Sequence, residues 1–425
     1  MADTIYALSS GLPPCAISVI RVSGPDATKA ACQLAGSLPE PRMACLRALK
    51  GKTGEHLDDA LVLWFPGPKS ATGEDVLELH CHGGRAVTRA VMNAIGEVRG
   101  CRAAEPGEFT RRAFANGRMD LAQAEGLADL LAAETEIQRR QAMAIAGGAL
   151  SRRVDEWRIE ILALSASVES VLDFSEEDDV EEVPHTFYEE CQALHDEIVL
   201  ALQAPRAETL REGLSVVIAG PPNSGKSTLF NALVDDRAAI VSEIPGTTRD
   251  VIERTIALDG IPFKFTDTAG LRDQTHDRIE AEGITMARGR LETADIVLWL
   301  GEEGAGPKSA LEIDARIDRP DWSPKSNPLV RLSANTGEGL KTLRRRLLER
   351  ATFLLPNPGM TALNDRQRKH LTVLTAFLSE VRRERDLLVL GELLRKARLE
   401  LDRLVGRTST EDMLDSLFKK FCIGK

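Results

Sequence analysis

The 425-residue chain has no apolar run long enough to cross a bilayer, and its N-terminus lacks a basic region followed by an apolar stretch. Both absences point to a cytoplasmic protein with no membrane partner. Seven cysteines, at 15, 32, 45, 81, 101, 191 and 422, show no metal-ligand spacing; an odd, dispersed set argues for reduced thiols over a disulfide framework. Cations are in deficit. With 54 Lys and Arg against 65 Asp and Glu, the net charge is −11, so the whole-molecule field does not attract nucleic acid, and an RNA partner needs a local basic patch. Internal repeats and low-complexity tracts are also missing. What is present, 43% hydrophobic and 28% charged residues, suits a globular chain with a sizeable core, and the length suits two to four domains.

The most informative stretch is Gly220-Pro-Pro-Asn-Ser-Gly-Lys-Ser-Thr228, which follows the apolar run 214–219 and precedes the apolar run 229–233. Strand, glycine-bounded loop and helix in that order, with G-x-x-x-x-G-K-[ST] spacing, make a phosphate-binding loop. Glycines let the backbone wrap around phosphates, and successive N–H groups with the helix N-terminus then face the anion. Asn223, Ser224, Gly225 and Thr228 belong to this loop; Lys226 reaches the β- and γ-phosphates, and Ser227 is a Mg²⁺ ligand.

Two further elements narrow the nucleotide. Asp267-Thr268-Ala269-Gly270 follows an apolar strand, 41 residues after Lys226. An Asp at a strand end holds Mg²⁺ through water, and the Gly N–H meets the γ-phosphate. Between them lies Gly246-Thr-Thr-Arg-Asp250, whose Thr248 is the candidate second Mg²⁺ ligand. This order and spacing indicate a GTPase. Guanine readers usually carry Asn-Lys-x-Asp; here only Ala315-Arg-Ile-Asp318 and, less well, Leu311-Glu-Ile-Asp314 stand in place, so Asp318 is the candidate base reader and weakened guanine discrimination is expected. Ser333-Ala334 matches the backbone-donating loop that follows. Leu271 takes the place where Ras-type enzymes orient the attacking water with Gln, leaving Glu280 or Glu282 as the candidate carboxylate. Asn223 either holds a monovalent cation against the phosphates or caps its own loop.

Around this module the pattern changes. Residues 1–117 read as an α/β domain with strands at 16–22, 61–65 and 75–80 and a helix at 86–98. His80 and His82 share a strand face, with no further ligands nearby, and read as structural. Residues 118–212 have helical spacing, with six carboxylates within 175–182 read as a solvated loop. Residues 213–353 form the inserted module, in which Asp259-Gly260 signals a hairpin, and 354–425 return to helix. The fold class expected is multidomain: an α/β N-terminal domain, an all-α central domain and an inserted Ras-like P-loop GTPase α/β domain.

Together these residues resemble the MnmE (TrmE) family of tRNA-modification GTPases over nearly the whole chain. The blocks that carry the resemblance are the inserted G module, the N-terminal text 73–84 with 106–114 and 120–125, and the terminal Phe421-Cys-Ile-Gly-Lys425. The resemblance implies a homodimer formed through the N-terminal domain, which binds a 5-formyl-tetrahydrofolate-type folate. Matching positions for the folate are Arg21, Glu78, Arg118 (often Lys in the family) and Lys425. It implies K⁺ bound through Asn223 and a loop at Ser242, Ile244 and Thr247, with Glu243, Pro245 and Gly246 beside the nucleotide. Glu280 best matches the catalytic Glu. Such proteins work with MnmG, an FAD-dependent partner, as a heterotetramer that adds an aminomethyl or carboxymethylaminomethyl group at C5 of the wobble uridine of certain tRNAs. Cys422 is then either a thiol nucleophile or a reduced thiol at a mobile terminus. The competing readings are a ribosome-assembly GTPase, whose usual second G module or RNA-binding domain is missing here, and a regulatory scaffold with a weakened nucleotide site.

Overall fold

Alternating apolar residues commit the N-terminal chain to a half-buried sheet, whereas the continuous apolar run at 214–219 demands a strand covered on both faces. A computed structural model describes residues 3–173, 183–204, 206–234, 240–241, 252–267, 291, 293–320, 322–355, 362–408, 411–419 and 421–424. The chain begins β1 (Thr4–Leu8), β2 (Ile17–Ser23), α1 (Ala27–Ala35), β3 (Cys45–Lys50), β4 (His56–Phe65), β5 (Val76–His82), α2 (Arg85–Gly96), β6 (Cys101–Ala103) and α3 (Glu108–Ala115). Helices α4 (Leu121–Ala132), α5 (Glu136–Ala146), α6 (Ala149–Asp173), α7 (Thr186–Leu202) and α8 (Ala207–Glu212) follow. Then come β7 (Leu214–Ala219), α9 (Lys226–Val234), β8 (Ile240–Val241), β9 (Ile252–Leu258), β10 (Ile261–Asp267), β11 (Ile296–Trp299), β12 (Leu311–Ala315) and β13 (Val330–Leu332). The chain closes with α10 (Leu340–Leu354), α11 (Asp365–Val381), α12 (Leu387–Leu404) and α13 (Glu411–Phe418). No described helix is long and apolar enough to cross a membrane.

Contacts divide the chain into two units, one of residues 1–128, 145–156 and 401–425, the other of 129–144 and 157–400. Beside this grouping, the division of the sequence at 117, 212 and 353 stands as a proposal. In the first unit a six-stranded sheet has the order β3-β4-β5-β2-β1-β6. Ala60, Val62 and Trp64 of β4 point into its core with Ile20, Val22, Leu77 and Leu79, while Asp59 and Leu61 face solvent. The same unit takes in the C-terminal segment. Phe418 and Phe421 pack with Ala124, against Phe114 and Leu127. Gly107, at φ 71°, lies so close to the Phe418 carbonyl that a Cβ would stand 2.2 Å from its oxygen. Further on, the Ser9 hydroxyl donates to the Gly424 carbonyl at 2.9 Å. The end of the chain is thus fastened to β1, a long-range contact invisible to periodicity.

In the second unit the strand order is β13-β12-β11-β7-β10-β9-β8. Leu214, Val216 and Ile218 of β7 enter one core cluster and Val217 and Ala219 another, which is the two-faced burial the apolar run demanded. The hairpin at Asp259-Gly260 joins β9 to β10, both residues having positive φ (47° and 79°), as a right-twisted two-residue connection requires. The module leaves and rejoins the helices at one point. Arg206 bridges to Leu363, and Ala207 N donates to the Leu363 carbonyl at 3.1 Å. Arg368 of α11 donates to the Leu202 and Ala204 carbonyls at 2.7 and 2.9 Å, satisfying the C-terminal end of α7. An inserted module needs this closure, since both helical flanks must meet.

Gly107→Ala tests the fastening of the C-terminus. Left-handed strain and the clash with Phe418 together cost about 1–3 kcal/mol. Trypsin is expected to cut after Lys419 faster than in the wild type or in Gly54→Ala, where φ is also positive but no atom lies within 4 Å of the added Cβ. Equal cleavage in the two variants would contradict the contact.

Candidate active site

β7 is hydrogen-bonded in parallel to β10 on one side and β11 on the other, so the sheet runs outward in both directions from its C-terminal end. In open α/β sheets that switch point is where a crevice for ligand opens. The loop there is shaped by positive φ at Gly220 (155°), Asn223 (61°) and Gly225 (96°). Asn is among the few side chains that tolerate the left-handed region. Pro221 and Pro222 carry no N–H and the Ser224 N–H donates to the Pro221 carbonyl at 3.3 Å, so the loop amides available to an anion are those of Asn223 and of Gly225 to Thr228, the last three in the first turn of α9. Lys226 is only 7% exposed, and its Nζ donates to the Pro221 carbonyl at 2.9 Å, which folds the ammonium back over the loop. The Ser224 hydroxyl is buried without a hydrogen-bond partner, as expected of a group waiting for a ligand or water. Ser227 and Thr228 are exposed at the start of α9. Asp267 ends β10, is 1% exposed and stands in register with Ile218 of β7. Ser227 in the first turn of α9 and Asp267 at the end of β10 carry hard oxygen donors of the kind Mg²⁺ takes.

The two candidate base readers separate cleanly. Asp314 lies within β12, is 2% exposed, and accepts from Trp322 Nε1 (2.7 Å) and Lys325 N (3.2 Å), with Arg331 Nε 3.4 Å away. Its acceptor capacity is spent on structure. Asp318 is exposed beyond the end of β12 and accepts from Asn335 Nδ2 at 3.2 Å. The Ser333 hydroxyl, then the Asn335 amide, hold its carboxyl below the usual carboxylate range. Ser333 is fully buried and also accepts from Thr336 N, while Ala334 is half-buried beside it. Arg316, at φ 66°, reaches back to the phosphate loop, its Nη1 donating to the Asn223 carbonyl at 2.5 Å. The base-side loop and the phosphate loop are therefore tied by a side chain that the motif reading registered only as an imperfect Lys.

In the first unit Arg21 and Glu78 are register partners on β2 and β5, joined by Nε–Oε1 and Nη2–Oε1 contacts of 2.9 and 2.8 Å. Phe109 lies 5.8 Å from the Arg21 guanidinium. Arg118 donates to the Ser70 carbonyl at 3.2 Å, on the loop before β5. Gly424 touches Leu8, and β1 register places Leu8 opposite Ile20 and Ala7 opposite Arg21, so the tail ends next to the strands that bear the ion pair. Cys422 is exposed, and its carbonyl accepts from Gly107 N at 3.4 Å. The guanidinium and the carboxylate are both partly exposed and bonded to each other. His82 is bonded through Nδ1 to Asp58 at 2.7 Å, which raises its pKa, and burial pushes the Cys81 thiol up to about 12. Among the described residues no cluster of three His, Cys, Asp or Glu can hold a metal ion. Ser242, Glu243, Ile244, Pro245, Gly246, Thr247, Thr248, Thr268, Ala269, Gly270, Glu280, Glu282 and Lys425 lie outside the described residues, as does the acidic run 175–182.

Two family models cover nearly all of this framework: "GTP-binding protein TrmE N-terminus" matches residues 4–118, and "MnmE helical domain" matches 121–422. A tRNA modification GTPase MnmE of Erythrobacter litoralis is 58% identical over 423 residues, with 100% of both chains covered. The chain belongs to the MnmE family of tRNA modification GTPases. A second MnmE, of Novosphingobium aromaticivorans, is 55% identical over 437 residues with both chains fully covered. The G domain of the T. maritima FeoB iron transporter is 26% identical over 32% of this chain and 98% of its own, at a TM-score of 0.24; the fold of the MnmE G module here rests on its strand order, not on that alignment.

The separation of the two aspartates is testable. Asp314→Ala strands two half-buried donors, Trp322 Nε1 and Lys325 N, and is expected to lower stability by about 2–4 kcal/mol. Asp318→Asn is expected to leave unfolding unchanged and to exchange preference from guanosine to xanthosine diphosphate. Urea unfolding and nucleotide binding read the two effects; a selectivity change in Asp314→Ala without destabilisation would reverse the assignment.

Proposed function

We propose that this chain hydrolyses GTP and uses the cycle to drive modification of the wobble uridine of certain tRNAs. The observation that carries the reading is the phosphate loop at the sheet's switch point, with Lys226 folded over it and Asp267 beside it, in a chain whose relatives bear the name tRNA modification GTPase. Lys226 neutralises the β- and γ-phosphates, the amides of 223 and 225–228 orient them, and Ser227 with Asp267 and Thr248 would hold Mg²⁺. That ion, when bound, would supply positive charge to the phosphates. Asn223, Ser242, Ile244 and Thr247 would hold K⁺, which supplies a further positive charge where other enzymes bring an arginine. Glu280, with Glu282 as the alternative, orients the attacking water. Asp318, Ser333 and Ala334 read the base.

In the N-terminal domain Arg21, Glu78 and Arg118, with Lys425, would bind a 5-formyl-tetrahydrofolate-type folate, which supplies a one-carbon unit. Cys422, three residues before Lys425, would be the thiol nucleophile. The working form is a homodimer that joins MnmG, an FAD-dependent partner, in a heterotetramer adding an aminomethyl or carboxymethylaminomethyl group at C5 of uridine 34, in the cytoplasm.

Hydrolysis measured with Mg²⁺ in KCl and in NaCl tests the G-site reading: turnover about 10²-fold faster in KCl is expected if the cation takes the place of an arginine. Equal rates remove the K⁺ assignment, and no turnover in either salt favours a regulatory scaffold. Cys422→Ser is expected to keep GTP turnover and to abolish the modified wobble nucleoside in cells; normal nucleosides by mass analysis would end the thiol role.

A further inference from the structure

The missing Asn of Asn-Lys-x-Asp poses a physical problem. Asp318 sits on an exposed loop, and a carboxylate there discriminates guanine only if its two oxygens are aimed at the N1 and 2-amino protons together. A carboxylate free to rotate on a surface loop meets one proton or neither, and water takes its place. In the motif the Asn side chain is available to brace this region; at Ala315 there is only a methyl group.

We infer that Asn335 supplies the missing brace, so that the base-reading carboxylate of Asp318 is oriented from the loop after β13 instead of from the loop after β12. The residues are close enough to do this. Asn335 Nδ2 donates to Asp318 Oδ2 at 3.2 Å beside the Ser333 hydroxyl, which also hydrogen-bonds this carboxyl, and the lone pairs that remain are those a base can meet. Ser333, fully buried two residues earlier, holds its own loop by accepting from Thr336 N at 3.2 Å, and Gly337 N donates to the Ser333 carbonyl at 3.0 Å. Asn335 therefore projects from a closed turn, not from a free end. Arg316 lies on the other side of the pocket and links the loop carrying Asp318 to the phosphate loop, donating to Asn223 O at 2.5 Å. The inference rests on the GTPase reading and names the device by which that site selects its base. Asn335 is a positioning residue, since it acts through Asp318.

The expected behaviour follows from which protons the carboxylate must meet. Inosine diphosphate keeps N1–H but lacks the 2-amino group, so it asks less of the carboxylate's aim. Binding of GDP, IDP and ADP is measured on the full chain with Mg²⁺ for the wild type, Asn335→Ala, Ala315→Asn and the double variant. Asn335→Ala is expected to weaken GDP about fivefold to tenfold, the worth of one ordinary exposed hydrogen bond. IDP and ADP should change less than about twofold, so the GDP/IDP ratio falls. Ala315→Asn is expected to do little alone and to restore the ratio in the double variant, because it returns the brace to its usual place. A GDP/IDP ratio unaltered by Asn335→Ala, or a uniform loss of all three nucleotides that Ala315→Asn does not repair, overturns the inference while leaving the GTPase reading standing. A wild-type chain that binds neither GDP nor IDP overturns both.

Discussion

β10 and β11 hydrogen-bond to β7 from opposite sides, and that double pairing fixes the point at which Gly220 begins. Fully buried Phe263 and Phe265 on β10, with Leu298 on β11, hold the pairing in register, each side chain contributing about 1.5–3 kcal/mol of burial. Everything functional in this unit hangs from that register. Asp267 stands beside the loop because it is opposite Ile218. Asp318 stands at the same end of the sheet because β12 continues it in parallel from β11. A slip of one residue would turn each of these side chains to the wrong face.

The phosphate loop was legible in the sequence because its chemistry is local. Glycine spacing, a strand before and a helix after are all contained in about twenty residues. The Asp259-Gly260 hairpin was legible for the same reason. The pairing of β1, β3 and β6 was not. β6 is three residues long, and β3, Cys45–Lys50, reads almost as well as helix, so only partners distant in the chain make them strands. The base pocket was half legible. Asp318 could be named, but its bond to Asn335 and the reach of Arg316 to Asn223 depend on loops that meet only after β12 and β13 have paired. The docking of Gly424 on β1 spans almost the entire chain and carries no periodic signal.

The two sites obey different logic. The nucleotide site is backbone-built: amides, a helix N-terminus and one lysine, all of which a fold can supply without much sequence. The N-terminal site is side-chain-built, around an Arg21–Glu78 pair whose members lie opposite each other on β2 and β5. The tail bearing Cys422 reaches that sheet through two glycine contacts, at Gly107 and at Gly424, where no larger residue can sit. Glycine is thus doing opposite jobs, giving the phosphate loop its turns and giving the terminus its close approach.

The central claim is that main-chain amides of a proline-led loop, together with Lys226, grip a nucleotide's phosphates. Hydrogen exchange of the amides of Asn223 and of Gly225 to Thr228, with and without a non-hydrolysable GTP analogue and Mg²⁺, tests it most directly. The account predicts that these amides become strongly protected on binding, and that Lys226→Ala removes the protection. Unchanged exchange at these positions under saturating analogue would contradict it.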